Sequence, residues 1–347
     1  LKVKDACMEH KQELIELTQL ECGRSIQEAT GQFNQFISFF DFFAEEIKRV
    51  YGTVVPQCDA PEGTVTQFIH KQALGVTVAH LAWNDPPFNL GTKLCPNIVS
   101  GCCGILKPSS HTPLFTMRVG ELCAEIGLPA GIINIVFGSS RDVGKYLNES
   151  TIPSLITVIG SVETGVEVMK QGATSVKHYS MELGGNAPLI IMPDGDLETA
   201  ANWIVARKVG NAGQGCANIN RVFLHESIHD QVVQMVLDRI KKVPNGWGPD
   251  MPALTSGPLI DVKARDEKLA LIEQAVIEGA KLLYGGKIPE NLPDELKGGA
   301  FMMPAVLDGV TDDMICAKTE LFAPIIQFLT FKDLDEVIER ANKSDYG

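Results

Sequence analysis

The sequence lacks any long hydrophobic run. No segment approaches the roughly 18 apolar residues that a membrane-spanning helix requires, which excludes an integral membrane protein. Positive charge is also scarce, since 30 lysine and arginine residues stand against 43 aspartate and glutamate residues, a formal net charge of −13. This balance argues against nucleic acid and against an anionic membrane surface as general partners.

Paired cysteine motifs are absent as well. The nine cysteines are an odd number and none forms a C-x-x-C pair, so neither a disulfide framework nor a zinc ribbon is indicated. Free thiols are typical of a reducing compartment, and we predict a cytoplasmic location, with an organelle matrix as the alternative. No signal peptide is visible, but we expect both natural ends to be missing, because the sequence begins inside a helical pattern and stops at Gly347.

The 347 residues are enough for about two domains. Residues 3–50 predict two helices, and residues 64–72 predict an exposed strand. From residue 74, short apolar strands alternate with helices, with strands predicted at 75–80, 104–107, 132–136 and 155–159. The alternation restarts after residue 186, with strands predicted at 188–192, 221–225 and 281–284. The rhythm of the first block predicts a parallel sheet covered on its faces, and the second block is therefore a second α/β domain.

One segment matches a zinc protease pattern, H-E-x-x-H, from His225 to His229. That chemistry requires both histidines on one face of a helix. Here residues 222–224 indicate the end of a strand and Ser227 is the expected helix N-cap, which places His225 before the helix. We therefore favour a structural turn histidine over a zinc ligand and predict no metal site.

Three further segments indicate chemistry weakly by themselves. The turn from Gly160 to Gly165 follows an apolar strand and opens a helix, an arrangement that lets backbone N–H groups approach a phosphate. It lacks the full G-x-G-x-x-G fingerprint. Cys216 follows Gly213-Gln-Gly, where small neighbours would leave the sulfur accessible, although a lone cysteine is usually an inert core residue. Glu182 precedes a Leu-Gly-Gly-Asn turn. Its carboxylate could act as a general base, or it could simply be part of a capped turn.

Seven motifs occur in a characteristic order over essentially the whole chain. They are Trp83-Asn84, Lys107-Pro-Ser, Gly160-Ser161, Glu182-Leu-Gly-Gly-Asn-Ala-Pro188, Gly213-Gln-Gly-Cys216, Gly257-Pro-Leu-Ile and Glu320-Leu-Phe-Ala-Pro324. In these motifs and their spacing the sequence resembles the aldehyde dehydrogenase superfamily. The resemblance implies an α/β fold with a Rossmann-like, parallel-sheet nucleotide-binding domain over 1–52 and 74–183, a bridging or oligomerisation β-hairpin over 53–73, and an α/β catalytic domain over 184–347.

The resemblance also implies a reaction and its catalytic residues. Cys216 would attack an aldehyde to give a thiohemiacetal, hydride transfer to NAD(P) would leave a thioester, and Glu182 would activate the water that releases the acid. Partial burial of Glu182 is expected, because a general base works best with a pKa near the working pH. Asn84 would stabilise the oxyanion together with the Cys216 N–H. Lys93 matches a lysine linked to proton relay, with a solvated helix lysine as the alternative.

The resemblance further implies a cofactor, NADP or NAD. The residues that would contact it are Trp83, Lys107, Ser110, Gly160, Ser161, Gly165, Glu320 and Phe322. Relatives that prefer NAD often carry a glutamate at the position of Ser110, where it repels a 2′-phosphate, so the serine favours acceptance of NADP. Ala323 replaces the usual glycine of the family, which makes close approach of the backbone to the cofactor less certain.

Alternatives remain at the level of function. A CoA-acylating relative typically lacks the glutamate found at position 182, and a non-catalytic structural or binding descendant is expected to lose Cys216 or Glu182. The partners that the resemblance implies are a small aldehyde and further copies of the chain, as a homodimer or homotetramer. The identity of the aldehyde stays open, because the succinic semialdehyde branch carries an arginine where this chain has Thr92.

Overall fold

The computed structural model describes residues 1–55, 66–248 and 251–346. Residue contacts divide the chain into two compact units, which are described separately below. The first unit comprises Leu1–Leu17 with Gly31–Glu182, and the second comprises Thr18–Thr30 with Leu183–Gly347. The domain boundaries given above remain a prediction. None of the helices in the described ranges is long and apolar enough to cross a membrane.

The amino-terminal segment forms three helices where the sequence pattern predicts two. They are α1 (Lys2–Glu9), α2 (Lys11–Cys22) and α3 (Ile26–Glu46). The first predicted helix is divided at His10, and Leu20 in α2 is exposed. Phe33, Phe36 and Phe40 are buried and form a packed face of α3, whereas Ile47, which follows the end of this helix, is exposed.

A short hairpin follows. Strands β1 (Thr53–Val55) and β2 (Gln67–Ile69) pair antiparallel, with Thr53 opposite Ile69. Val54 and Phe68 face each other in this register and both are exposed. The predicted strand over 64–72 is therefore shorter in the structure, and residues 64 and 65 lie outside the described residues.

The first unit is built around a five-stranded parallel sheet. Its strands are β3 (Val76–His80), β4 (Cys103–Lys107), β5 (Ile133–Ile135), β6 (Leu155–Ile159) and β7 (His178–Glu182), in the order β5-β4-β3-β6-β7. The connecting helices are α4 (Pro86–Val99), α5 (Leu114–Glu125), α6 (Lys145–Glu149) and α7 (Val162–Gly172). This confirms the predicted Rossmann-like arrangement.

The strand order reverses between β3 and β6. In sheets of this kind the connections on either side of that point leave in opposite directions, which opens a crevice at the carboxyl ends of the strands where ligands bind. Three residues singled out above lie at this edge, because Lys107 ends β4, Gly160 follows β6 and Glu182 ends β7.

The second unit contains another five-stranded sheet. Its strands are β8 (Pro188–Ile191), β9 (Arg221–His225), β10 (Lys281–Tyr284), β11 (Ala305–Asp308) and β12 (Ile325–Phe331), in the order β10-β11-β12-β9-β8. All neighbours are parallel except β10, which runs antiparallel to β11. The helices are α8 (Leu197–Val209), α9 (His229–Ile240), α10 (Val262–Ile277), α11 (Ile315–Lys318) and α12 (Leu334–Asn342).

The core of the second unit lies on the central strands. Val222, Phe223 and Leu224 of β9 are fully buried, as is most of β12. Helix α8 begins after Asp196, whose carboxylate caps the helix by accepting from the Thr199 N–H at 3.1 Å. Burying strands on both faces removes the alternation of apolar and polar residues, because neither face meets water.

The two histidines of the zinc protease pattern lie on different elements. His225 ends β9 and its Nδ1 lies 2.8 Å from Ser227 Oγ, whereas His229 opens α9 and its Nε2 lies 2.8 Å from Asp308 Oδ1. The helix begins after Ile228, so the expectation that Ser227 is its N-cap is wrong. The geometry that the zinc chemistry needs is therefore not formed, since the two rings do not share a helix face.

Candidate active site

A cavity of about 760 Å³ opens at the carboxyl-terminal edge of the first sheet. Of the predicted cofactor residues of this unit, those that line it are Trp83, Lys107, Ser110, Gly160 and Ser161. Gly165 does not line it, because this residue is buried inside α7, where its N–H donates to the Ser161 carbonyl at 3.0 Å. The volume falls within the range of about 300–1,000 Å³ that is typical of cofactor sites.

Lys107 gives this cavity a buried positive charge. The side chain is 4% exposed, and burial lowers the pKa of its ammonium group because desolvation disfavours the charged form. It makes no hydrogen bond or ion pair to another described residue. A buried cation at a ligand-sized cavity is suited to an anionic or polyhydroxylated ligand such as the adenosine half of NAD(P).

The turn at Gly160 and the start of α7 form another wall of the cavity. Ser161 caps this helix, and its hydroxyl accepts from the Thr164 N–H at 3.2 Å. A side chain at Gly160 would meet only ordinary packing, at 3.5 Å from Thr164, so the protein itself does not require glycine there. The missing side chain leaves room for a ligand next to the helix N-terminus, which favours phosphate groups.

A polar network at the same cavity was not found from the sequence. The His80 Nε2 lies 2.7 Å from the Asn148 Oδ1, and the Asn148 Nδ2 donates to the Gln171 Oε1 at 2.9 Å. Burial lowers the pKa of His80 against the opposing hydrogen bond to Asn148, and nearby Lys107 lowers it further. These residues line the cavity but are widely separated in sequence and share no motif.

Asn84 lies in the turn that leads into α4. Asp85 caps this helix by accepting from the Phe88 N–H at 3.4 Å, and prolines fill its first two positions, where no N–H partner is needed. One turn into the helix, the Asn89 Nδ2 donates to the Ala82 carbonyl at 3.0 Å and to the Asn84 Oδ1 at 3.4 Å. The latter contact orients the Asn84 amide.

Lys93 lies within α4 and is buried, so the interpretation as a solvated helix lysine is wrong. Burial lowers the pKa of its ammonium group, and the attraction of Glu182 opposes this effect. The structure thus couples two of the predicted catalytic residues electrostatically. Glu182 itself is exposed, contrary to the expected partial burial, because it ends β7, the edge strand of the sheet.

Cys216 belongs to the second unit and follows a strained turn. Asn211, Ala212 and Gly213 have left-handed backbone conformations, with φ of 49°, 51° and 72°. A side chain at Gly213 would overlap the Ala323 carbonyl, so only glycine fits. Strained conformations in residues other than glycine persist only where the surrounding structure enforces them, and they cluster at functional sites.

Hydrogen bonds enforce the conformation of this loop. The Asn211 N–H donates to the Glu28 carboxylate at 2.9 Å, and the Asn218 Nδ2 donates to the Gly213 carbonyl at 3.0 Å. The buried Gln214 donates to the Asn211 carbonyl at 2.9 Å and accepts from the Ile260 N–H at 2.8 Å. Cys216 is thereby presented on a fixed loop.

Among the described cysteines, only Cys103 and Cys216 are exposed. Burial raises the pKa of the Cys7 and Cys95 thiols to about 12 and that of Cys123 and Cys316 to about 11. A raised pKa suppresses the thiolate form, which is the reactive one. The buried cysteines are therefore poor nucleophiles.

Glu320 is held by the turn that follows Glu182 in sequence. The Gly185 N–H donates to the Glu320 Oε1 at 3.2 Å, and a side chain at Gly184 would overlap the same carboxylate. The pair of glycines thus makes room for Glu320 and orients it. The next residue but one, Phe322, has φ of 46°, and Ala323 is fully buried, so its methyl group is accommodated.

A buried lysine also acts on Glu320. Lys208 is 1% exposed, and burial lowers the pKa of its ammonium group to about 7, opposed by the attraction of Glu320. Lys268, which is partly buried, is attracted by the same carboxylate. Both lysines therefore attract the Glu320 carboxylate.

Three buried amide side chains secure the segment around Glu320, and of these only Asn186 belongs to a motif recognised in the sequence. The Asn220 Nδ2 donates to the Asn186 Oδ1 at 2.5 Å and to the Thr319 carbonyl at 2.9 Å, and its Oδ1 accepts from the Leu321 N–H at 2.9 Å. The Gln327 Nε2 donates to the Cys316 carbonyl at 2.8 Å. This network fixes the backbone on both sides of Glu320.

Comparisons with known proteins agree with this picture. The family model described as "Aldehyde dehydrogenase family" matches residues 1–347. The NADP(+)-dependent succinate-semialdehyde dehydrogenase GabD of Escherichia coli (strain K12) is 36% identical over 340 residues, which cover 98% of this chain and 68% of that protein. A glutarate-semialdehyde dehydrogenase of Pseudomonas aeruginosa is 35% identical, over 99% of this chain and 69% of that protein.

A solved structure extends the similarity to three dimensions. The structure of a 3,6-anhydro-L-galactose dehydrogenase in complex with NAP superposes with a TM-score of 0.94 at 34% identity, covering 100% of this chain and 71% of that one. The motifs, the fold and these matches lead to one conclusion, which is that the chain belongs to the aldehyde dehydrogenase family.

Proposed function

We propose specific residue roles for the reaction of this family, the NAD(P)-dependent oxidation of an aldehyde to a carboxylic acid through a cysteine thiohemiacetal and thioester. Cys216 is the nucleophile, and its sulfur forms a bond to the aldehyde carbon. The single observation that supports this most strongly is the presentation of an exposed Cys216 on a loop that is strained and fixed by hydrogen bonds.

The oxyanion of the thiohemiacetal requires hydrogen-bond donors. We assign this role to the Asn84 side-chain amide and the Cys216 N–H, each of which is worth about 3–4 kcal/mol of barrier in comparable sites. The contact from Asn89 supports the assignment, because it holds the Asn84 amide in one orientation.

The bound nicotinamide cofactor supplies the hydride acceptor. We assign its adenosine half and pyrophosphate to the cavity lined by Trp83, Lys107, Ser110, Gly160 and Ser161. We assign its nicotinamide ribose to Glu320, which has an orienting N–H donor and is attracted by two lysines, with Phe322 close to it in sequence. Both NADP and NAD are used within the family, and Ser110 favours NADP. Gly165, which lies inside α7, supports the fold of this helix.

Thioester hydrolysis requires a base. Glu182 removes a proton from water, whose oxygen attacks the acyl carbon and releases the acid and the Cys216 thiol. The electrostatic coupling between Glu182 and the buried Lys93 supports a route for that proton. The presence of Glu182 favours hydrolysis over acyl transfer to CoA, and the presence of both Glu182 and Cys216 favours an enzyme over a non-catalytic descendant.

The residue at position 92 bears on which aldehyde is the substrate. The Thr92 hydroxyl donates to the Asn89 carbonyl at 3.1 Å within α4, so position 92 supplies no cation for a substrate carboxylate. A panel of aldehydes should therefore include neutral members beside succinate and glutarate semialdehydes, the substrates named for two relatives.

We further propose that the protein is a homodimer or homotetramer in the cytosol. The exposed apolar residues of the β1–β2 hairpin, including Val54 and Phe68, support association through this element. The free thiols of the described cysteines support a reducing compartment. Light scattering on the purified protein measures the oligomer mass directly.

The nucleophile is tested by Cys216→Ser. We expect turnover to fall below a thousandth of wild type with NAD(P)H absorbance as the readout, because an unactivated serine hydroxyl is a much weaker nucleophile than a cysteine thiolate. The matched control is Cys103→Ser, which removes the other exposed thiol of the described residues and should leave turnover unchanged. Retention of more than a tenth of the activity in Cys216→Ser would refute the assignment.

A further inference from the structure

A short turn on the rim of the nucleotide cavity carries an unused positive charge. Residues Ser140–Gly144 form a π-helical turn, and its Arg141 lines the cavity together with Ser110 and Lys107. The Arg141 side chain is exposed, and its guanidinium makes no hydrogen bond or ion pair to any residue within the described ranges. Such a group is available to a ligand.

The backbone of this turn is fixed by its neighbours. The Ser139 hydroxyl accepts from the Asp142 N–H at 3.0 Å and donates to the Asp142 carboxylate at 2.6 Å, so the adjacent acid is engaged by Ser139 and not by Arg141. Gly138 has φ of 145°, and a side chain there would overlap Val143. The turn therefore has little freedom to move away from the cavity.

The same turn packs directly beside Lys107. A side chain at Gly144 would lie 3.8 Å from both the Lys107 Cε and the His80 Cε1. Arg141 is three residues before Gly144 on a single turn, which places two cationic residues on neighbouring parts of one wall. Burial lowers the pKa of Lys107, and a bound anion would oppose this effect by favouring the charged form.

Charge is distributed unequally around the cavity. Lys107 ends β4, and the basic lining residues His111 and Arg141 lie on the segments that follow β4 and β5. His80, the other histidine of the lining, ends β3, whereas Glu163 and Glu167 both lie on α7. Glu163 is hydrogen-bonded with Ser161, and Glu167 accepts from the Gln171 Nε2 at 2.8 Å. An anionic group of a ligand is therefore favoured on the wall that contains Ser110 and Arg141.

We propose that Arg141, with the Ser110 hydroxyl, binds the 2′-phosphate of NADP and is the residue that selects this cofactor over NAD. This inference rests on the proposed function, which assigns the adenosine half of the cofactor to this cavity. A guanidinium presents two parallel N–H donors to phosphate oxygens and holds a full charge at neutral pH. NAD has a neutral 2′-hydroxyl at that position and gains little from the arginine.

The test compares cofactor binding by calorimetry in wild type, Arg141→Ala, Arg141→Lys and a matched control, Lys145→Ala. Lys145 lies on the next turn, is exposed, pairs with Glu149 and does not line the cavity. The ligands are NADP and NAD, and in addition adenosine 2′,5′-bisphosphate and adenosine 5′-monophosphate, which differ only in the 2′-phosphate.

We expect Arg141→Ala to weaken NADP and the bisphosphate by about 10- to 100-fold, as for loss of hydrogen bonds to a charged group, with less than about a twofold change for NAD and the monophosphate. Arg141→Lys should recover part of the loss, because it keeps the charge but not the paired donors. Lys145→Ala should leave all four affinities unchanged.

Equal losses for ligands with and without the 2′-phosphate in Arg141→Ala would overturn the inference, as would wild-type affinities in that variant. In both cases the cavity would remain the cofactor site and the proposed function would stand. Absence of NADP and NAD binding in the wild type would instead refute the proposed function itself. Circular dichroism of each variant confirms that the fold is retained.

Discussion

At the scale of single residues, the catalytic role that we propose for Glu182 does not depend on burial. Its carboxylate is exposed at the end of an edge strand. It attracts Lys93, a buried ammonium group whose pKa is lowered by burial. A buried ammonium group that interacts with a carboxylate is a suitable pair for moving a proton.

Replacement of Glu182 by glutamine should separate the two halves of the reaction. We expect a single turnover of NAD(P)H formation without steady-state turnover, because glutamine cannot activate the water that hydrolyses the thioester. Rapid-mixing absorbance measures the burst, and mass spectrometry detects the acyl group on Cys216. Normal steady-state turnover would show that another residue is the base.

A substitution at Ser110 tests whether this residue determines the preference between NADP and NAD. In Ser110→Glu the introduced carboxylate accepts from a ribose 2′-hydroxyl and repels a 2′-phosphate, so kcat/KM for NADP should fall about tenfold or more relative to NAD. Ser109→Glu is a useful comparison, since its position lines the same cavity one residue earlier. A strong preference for NAD in the wild type that is unchanged by Ser110→Glu would remove Ser110 as a determinant and leave it as the lining of a roomier pocket.

At the scale of elements, the turn between β7 and β8 links sequence to geometry. Gly184 and Gly185 are adjacent, but only at Gly184 would a side chain overlap the Glu320 carboxylate, at its Oε2 atom. A side chain at Gly185 would meet the Cys216 carbonyl at 3.5 Å, which is ordinary packing. The two glycines therefore form a natural pair of test and control positions.

Gly184→Ala should displace Glu320 and weaken its bond from the Gly185 N–H. We expect Kd for NAD(P) to rise about three- to tenfold, since a hydrogen bond to a charged group is weakened but not abolished. Gly185→Ala should change Kd much less. Fluorescence titration of NAD(P)H provides the measurement, and similar effects of the two substitutions would mean that Glu320 is not positioned by this turn.

Helix α9 and strand β11 are joined by a titratable contact. His229 lies between the Asp308 and Asp230 carboxylates, and although burial lowers the pKa of its ring, the hydrogen bonds to Asp230 and Asp308 raise it overall. A histidine whose pKa is raised on folding stabilises the folded state below its unfolded pKa of about 6.5, and this contribution is lost as the pH rises through the higher folded-state value.

His229→Gln should therefore lower the Tm more at pH 6 than at pH 9. The loss in free energy of unfolding should differ between the two pH values by about 1 kcal/mol or less. The ion pair is partly solvated, and the helix dipole opposes a cation near a helix N-terminus. His225→Gln is the control, since the His225 ring contacts the Ser227 hydroxyl and not a carboxylate. Thermal unfolding followed by circular dichroism at both pH values decides the question, and an equal loss at the two pH values would contradict it.

At the scale of the whole molecule, the sequence predicts the fold well where strands are followed by helices. Four strands of the first sheet, β3 to β6, were predicted, because they are short apolar runs bounded by turns, whereas β7 was not predicted. Strands β11 and β12 were not predicted. Seven residues of β12 are almost entirely buried, so the strand shows no alternation, and a short apolar run without alternation does not distinguish a strand from a helix.

The candidate site divides in the same way. Residues within ordered motifs, such as Cys216 and Glu320, were singled out from sequence. Residues that come together only in the folded chain, such as Arg141, Asn148 and Asn220, have no fixed spacing that a sequence pattern can register. Burial is also a property of the packed chain, which is why the exposure of Glu182 and the burial of Lys93 differed from expectation.

The fixed loop before Cys216 has a consequence for the entropy of the reaction. Ordering one residue lowers the conformational entropy of a chain by an amount equivalent to about 1–2 kcal/mol at room temperature. Residues 210–218 are already ordered by the bonds of Glu28, Gln214 and Asn218. That entropy is lost once, when the chain folds, and not again each time an aldehyde arrives, so the binding energy of the substrate remains available to lower the activation barrier.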